Sequence, residues 1–272
     1  MHSDSLQRER TDEPFADDGV VTLRSAFSAA DAARMSDAIW RHIESNTTVR
    51  RHDASTWPTG WLATSFKKLK RHASFRAVID APAVRDRLDA IFGVDGWVAS
   101  KGGAQILCTF PNTAPDAWRV PNHLWHMDSS FHRRVDPPHA VKLFSVVETL
   151  PAHNGATMVI AGSHRLQASY ARTIPAELRA GKTQTWRRFL NETDPWLAAL
   201  VSHRPADLDD PDRNARFGGS RDIDGLTVEI RELTGDPGDV HLTHLNLFHA
   251  ASPNAGERPR VVVTHVVTPI AR

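Results

Sequence analysis

Asp239-Val-His-Leu-Thr-His-Leu-Asn-Leu-Phe248, then His249, then Ala250-Ala-Ser-Pro-Asn-Ala-Gly-Glu-Arg-Pro259, then Arg260-Val-Val-Val-Thr-His-Val-Val-Thr268 is the stretch that decides the fold. Its two ends are rich in β-branched and apolar residues and read as strands. Between them Ser252, Pro253, Asn254 and Gly256 supply turn chemistry that suits a pair of antiparallel strands. Such a turn carries Arg260 back toward His249, at the end of the first strand.

Upstream of this stretch the pattern is also strand-like. Leu226–Leu233, Ala156–Ala161 (after the turn signal Asn154-Gly155), His139–Leu150, Ala104–Phe110 and Trp97–Ala99 all read as strands. Before residue 97 the period changes. Ser28 to Ser45 reads as a helix, with Ser28 and Asp31 as a capping-box-like start and Ala32, Met35, Ile39 and Ile43 at helical spacing. Pro82 to Phe92 is a second amphipathic helix, and Val20, Val21 and Leu23 after Gly19 form a short strand. Helices first and strands later predict a mainly β barrel or sandwich with flanking helices.

Residues 1–14 carry mostly charge and read as a disordered tail. Residues 15–272 then form a single domain. Within it, residues 165–225 are polar and irregular, with helix only near Pro175–Gly181 and Pro195–Val201. A segment of that length reads as an insertion or lid over the site. Residues 46–75 are a second candidate cover, and their basic run Lys67–Arg71 reads as a solvated helix face.

Lys plus Arg is 33 against 32 for Asp plus Glu, which gives no electrostatic reason to expect nucleic acid or an anionic membrane as partner. Cys108 is the one cysteine, so no intrachain disulfide forms, and it reads as buried core. No apolar run suits a signal peptide or a membrane span. The expectation is a cytoplasmic protein acting on a small molecule, with no obligate protein partner evident.

Among the 15 histidines, spacing picks out a few. His126-Met127-Asp128 places an imidazole and a carboxylate two residues apart, on one face if the segment is a strand. His249 adds a second imidazole. Two histidines and one carboxylate leave three positions open on an octahedral metal, the arrangement of non-haem iron(II) sites. Zinc takes similar ligands, so ligand types alone do not choose the metal. Arg260, eleven residues after His249, is placed to grip a carboxylate.

The combination of Trp125-His126-Met127-Asp128, Asn154-Gly155-Ala156-Thr157 through Gly162-Ser163-His164, Gly238-Asp239-Val240, His249 through Asn254, and Arg258-Pro259-Arg260 resembles the phytanoyl-CoA dioxygenase family. The opening Phe15–Leu23 followed by a helix is similar as well. The resemblance implies a double-stranded β-helix (jelly-roll, cupin-like) barrel. It also implies iron(II), 2-oxoglutarate and O2, with hydroxylation of an aliphatic carbon and release of succinate and CO2. In related halogenases a small residue replaces the carboxylate ligand, so the resemblance with Asp128 present favours hydroxylation, or another oxidation begun by hydrogen abstraction, over halogenation. Ala161 stands where the family often has proline. Arg258 competes with Arg260 as carboxylate binder; the eleven-residue spacing and the place of Arg258 in the turn favour Arg260.

Lys142 shares a strand face with Phe144 and Val146, where it contacts a carboxylate of co-substrate or substrate, or else snorkels from the outer face. Gln105 and Thr109 read as structural strand residues beside the pocket. His244 lies on the other face from His249. His123, His132, His139, His153 and His164 read as non-ligands. Trp118, Arg119, Arg133 and Arg134 flank the metal motif as candidate substrate contacts. Two other readings stay open: a cupin-like metal-dependent hydrolase or isomerase using the same three ligands, and a non-catalytic small-molecule-binding barrel.

Overall fold

A computed structural model describes residues 15–131, 133–179, 183–208 and 210–270. The tail 1–14, His132 and Gly181 lie outside the described residues. Ten strands make two antiparallel sheets among those described. The six-stranded sheet runs β1 (Val20–Leu23), β8 (Val240–His244), β4 (Val141–Val146), β10 (Arg260–Pro269), β2 (Trp97–Ala99), with β3 (Gln105–Thr109) also paired to β10. The four-stranded sheet runs β6 (Ser220–Ile223), β7 (Leu226–Glu232), β5 (Thr157–Ala161), β9 (His249–Ala251).

Strand alternation sorts the side chains into three apolar layers. Phe144, Val146 and Val262 of the larger sheet meet Val159 and Ala161 of the smaller one between the sheets. On the far side of the larger sheet, Leu143, Leu242 and Val263 pack against Met35, Ile39 and Leu88 of the helices Ala29–Asn46 and Pro82–Phe92. All six residues of β4 are buried because both of its faces are covered. Ser28 caps the first of these helices, its hydroxyl accepting from the Asp31 amide at 3.0 Å.

Several expectations change. The fold is mixed rather than mainly β, since helices hold more residues than strands. Residues 165–225 are the chief reason. They lie in a run of helices, Ser163–Thr173, Ala176–Arg179, Thr183–Glu192, Pro195–Leu200, Pro205–Leu208 and Arg213–Phe217, before β6. Their apolar residues Phe189, Leu190, Leu197, Leu200 and Phe217 form the third layer, against Met158 and Ile160 on the outer face of the smaller sheet. Phe189 stacks on Phe248 with centroids 5.0 Å apart. Four of these six helices have six residues or fewer, too short for a helical period to show in sequence. The basic run 67–71 lies in turns rather than a helix, with Leu69 buried.

The deciding stretch also folds differently. The expected strand 239–248 ends at His244, and Leu245–Phe248 turn the chain from one sheet to the other. Side chains hold that corner: the Asn246 amide donates to His244 Nδ1 at 3.0 Å, and the Phe248 amide donates to Ser163 Oγ at 3.0 Å. His249 therefore opens β9 rather than ending β8. The turn 250–259 then crosses back, so β9 and β10 belong to different sheets and are not a hairpin.

Candidate metal centre

Backbone pairing brings the two histidines together. His126 and His249 form an isolated β-bridge, each amide donating to the other's carbonyl at 2.9 and 2.8 Å. The segment after His126 is not a strand, so Asp128 is placed by a bend and not by strand alternation. The imidazole rings lie 4.3 Å apart. Ligand atoms of His126, Asp128 and His249 all fall within 4.8 Å of one another. His249 Nε2 is 3.5 Å and His126 Nε2 is 3.8 Å from the Asp128 carboxylate.

Both rings are oriented in the same way. His126 Nδ1 faces the Leu124 carbonyl at 2.7 Å and His249 Nδ1 the Leu247 carbonyl at 3.1 Å. A proton on each Nδ1 leaves each Nε2 lone pair free for a metal, a common way to fix a ligand's tautomer. Burial holds His249 well below an ordinary histidine, so its ring is neutral near pH 7. For Asp128 burial pushes upward, but His249, Lys142 and His126 outweigh it and the carboxyl sits below its ordinary value. The side chain of His126 is 43% exposed, so the cluster opens to solvent on that side.

Lys142 is buried on β4, and its Nζ donates to Asp128 Oδ2 at 2.6 Å. It thus steadies a candidate ligand from the neighbouring strand. Arg260, 1% exposed, lies between the sheets and donates to Thr157 Oγ1 of β5 at 2.6 Å. Burial lowers its guanidinium to about 10, so it stays charged near pH 7. Its Nε has no partner, and no carboxylate pairs with it among the described residues. A buried cation without an anion is costly, and such a site suits an anionic ligand. Phe144 joins the two places: its ring lies 6.1 Å from that of His249, and it lines the narrow gap that holds Arg260. Arg258 is exposed.

The other candidates fall outside this cluster. Trp118 is buried, stacks on His153 at 3.8 Å and donates to the Pro253 carbonyl. Arg119 bonds carbonyls of its own loop. Arg133 and Arg134 line a separate surface cavity with Phe131 and His244. Gln105 is exposed, while Thr109 is buried opposite Arg260 in the ladder. His244 and His164 stack 5.0 Å apart and are held neutral by burial. His164 is the second residue of the helix Ser163–Thr173. Cys108 is buried, its thiol pushed up to about 12 by burial.

The model of the phytanoyl-CoA dioxygenase (PhyH) family matches residues 15–262. The chain belongs to the phytanoyl-CoA dioxygenase family. That family depends on iron(II) and 2-oxoglutarate, and His126, Asp128 and His249 are a group that could hold the metal. It is 22% identical over 178 residues to Dioxygenase aneA of Aspergillus aculeatus, an alignment covering 61% of this chain and 59% of that relative. The chain thus matches less than two thirds of that relative's length. Among solved structures it is similar in fold to the epimerase SnoN in complex with Fe3+, alpha ketoglutarate and nogalamycin RO. That match has a TM-score of 0.54 at 16% identity and covers 97% of this chain and 84% of SnoN. AviO1 from Streptomyces viridochromogenes Tue57 is also similar, with TM-score 0.54 at 15% identity, covering 96% and 94%. No described helix is long and apolar enough to cross a membrane.

Two residues with a stake in the site gave little sequence signal. Thr157 lies inside the Asn154–His164 motif, but nothing there marks it as the partner of Arg260. Arg213, 2% exposed, donates to the carbonyls of Val120 at 2.7 Å, Leu200 at 2.7 Å, Asp207 at 3.2 Å and Pro121 at 3.3 Å. It ties the segment leading to His126 onto the helical insertion. In sequence it is one arginine in a polar run.

Proposed function

We propose that the protein is an iron(II)/2-oxoglutarate-dependent dioxygenase that hydroxylates an aliphatic carbon of a small metabolite, with succinate and CO2 as coproducts. The observation that carries this reading is an open His-Asp-His cluster together with a buried arginine that no carboxylate pairs with among the described residues, with Phe144 beside both His249 and the gap that holds the arginine. A hydrolase or isomerase using the same three ligands has no need of that arginine.

In this reading His126 and His249 bind iron through Nε2. Asp128 binds through one carboxylate oxygen while Lys142 holds the other. Arg260 and Thr157 receive the far carboxylate of 2-oxoglutarate as charge-assisted partners. When bound, iron(II) with 2-oxoglutarate and O2 supplies the oxidising power to break an aliphatic C–H bond. The protein's own part is to fix ligand tautomers, orient the co-substrate and keep water from the inter-sheet gap. The two facing sheets are then the halves of a double-stranded β-helix. The setting in this reading is cytoplasmic, with a small-molecule substrate and without nucleic-acid or membrane partners.

The test couples succinate release to a metabolite panel, with products checked for added oxygen. His249→Ala should abolish iron binding and turnover while the fold persists; full turnover by this variant without added imidazole would sink the ligand assignment. Arg260→Ala should raise the 2-oxoglutarate requirement roughly ten- to a hundredfold, the range for a lost charged hydrogen bond. The exposed Arg258→Ala should not. The opposite pattern would mean that Arg258 is the binder.

A further inference from the structure

His241 lies on β8 directly opposite Phe144 of β4, on the same side of the sheet as the gap that holds Arg260. It is 2% exposed, and its Nε2 has no hydrogen-bond partner. Its other nitrogen is engaged: Thr22 Oγ1, the neighbouring residue across β1, lies 2.9 Å from Nδ1. Arg260 Nε, in the same gap, is also without a partner. Buried polar atoms are seldom left unpaired, and two at one narrow gap point to a shared acceptor that arrives from outside the chain.

We propose that His241 is a positioning residue for the co-substrate: its Nε2–H donates to the far carboxylate of 2-oxoglutarate beside Arg260, with the Thr22 hydroxyl donating to Nδ1. This rests on the 2-oxoglutarate reading above. The chemistry is consistent on both sides of the ring. A threonine hydroxyl that donates to Nδ1 puts the ring proton on Nε2. Burial, with Arg24 acting in the same direction, keeps the ring neutral with its pKa at about 4. A neutral donor adds a hydrogen bond to the carboxylate without repelling the guanidinium that carries the charge. Arg260 supplies the ionic attraction, and His241 makes the pocket directional. Together they select a second carboxylate over a methyl group at the far end of a 2-oxo acid.

The experiment measures anaerobic binding of 2-oxoglutarate and of pyruvate, which lacks the far carboxylate, to the iron(II)-loaded protein by calorimetry. His241→Leu should weaken 2-oxoglutarate roughly tenfold or more, as for other hydrogen bonds to charged groups, and leave pyruvate unchanged. His241→Asn, which keeps a donor, should recover part of the loss, and Thr22→Val should give a smaller loss in the same direction. If His241→Leu does not fold, the Asn and Thr22→Val variants carry the test. Equal weakening of both ligands would reduce His241 to a structural role and overturn the proposal. So would unchanged 2-oxoglutarate affinity in His241→Leu while Arg260→Ala loses it, an outcome that leaves the co-substrate reading intact. A wild-type protein that does not prefer 2-oxoglutarate to pyruvate would overturn both.

Discussion

The two sheets wear different coats. The larger sheet is covered by helices of 18 and 11 residues whose apolar stripes pack on its outer face. The smaller sheet is covered by the insertion, whose described helices run from 4 to 11 residues and close their core around Phe189, Trp196 and Phe217. The first coat is joined to its sheet by apolar packing and by Ser36 and Trp40, which both donate to Glu148 just past β4. The second is joined also by polar ties, through Arg213 and Asn214, to the loop that delivers His126. A long helix carries its own start signal and its own period. An assembly of short helices carries fewer such signals, Asp194 before Pro195 being one, and depends also on a few buried polar anchors. The insertion therefore bears on the metal centre from behind, as a support, whatever it does at the mouth.

The largest effect expected is from acid, at the joint between the two coats. His164, on the insertion's first helix, stacks on His244 of β8, and each ring bonds a backbone carbonyl. Burial pushes His164, His241 and His265 down to about 4 and His244 to about 3. In the unfolded chain these rings take protons near 6.5, so that state binds protons first as pH falls. Stability is then full above about 6.5 and is lost progressively down to about 4. Each ring withholds on the order of 3 kcal/mol at the low end, against a typical total of about 5–15 kcal/mol. Denaturant midpoints measured from pH 8 to 4.5 should fall steeply, and less steeply in His164→Gln. A flat profile would contradict the buried, neutral assignment.

Next in size is a pair of substitutions that separates the coats. Arg213→Ala removes a donor from four carbonyls, of which only that of Pro121 keeps a second side-chain donor, the Trp125 indole, and should cost more than about 3 kcal/mol. Iron affinity of the folded fraction should fall too, because His126 loses its support. Ile39→Ala, in the first coat, should cost about 2–5 kcal/mol by opening a cavity but leave iron affinity of the folded fraction unchanged. Equal effects of the two on iron binding would erase the distinction.

The smallest effect concerns the mouth. The reading of residues 165–225 as a lid stands as a proposal; Phe189 and Trp196 of this segment are buried in the insertion's core on the outer face of the smaller sheet. Hydrogen exchange without oxygen, with and without substrate, should show added protection in this segment if it closes over the site. Strong and identical protection in both states would make it scaffold and move the search for a cover to residues 46–75.

Legibility followed the range of the interactions. Ser28 and the spacing of Ala32, Met35, Ile39 and Ile43 were enough to mark the first helix, because a cap and a 3.6-residue period are local properties of the chain. The short runs rich in β-branched and apolar residues at β4, β5, β7 and β10 marked strands for the same reason. His126, Asp128, His249 and Arg260 stood out through residue type, order and spacing. The sequence did not reveal which sheet each strand joins. The apolar run Leu245–Phe248 reads as more strand, and only the anchors Ser163 and His244, the first of them far away in the chain, turn it into a corner that sends His249 to the other sheet. Likewise Arg260 has a spacing in sequence, but its burial beside Thr157 and His241 exists only once two sheets close on each other. A residue's period is written in its neighbours along the chain, whereas its partners are set by packing across the whole molecule.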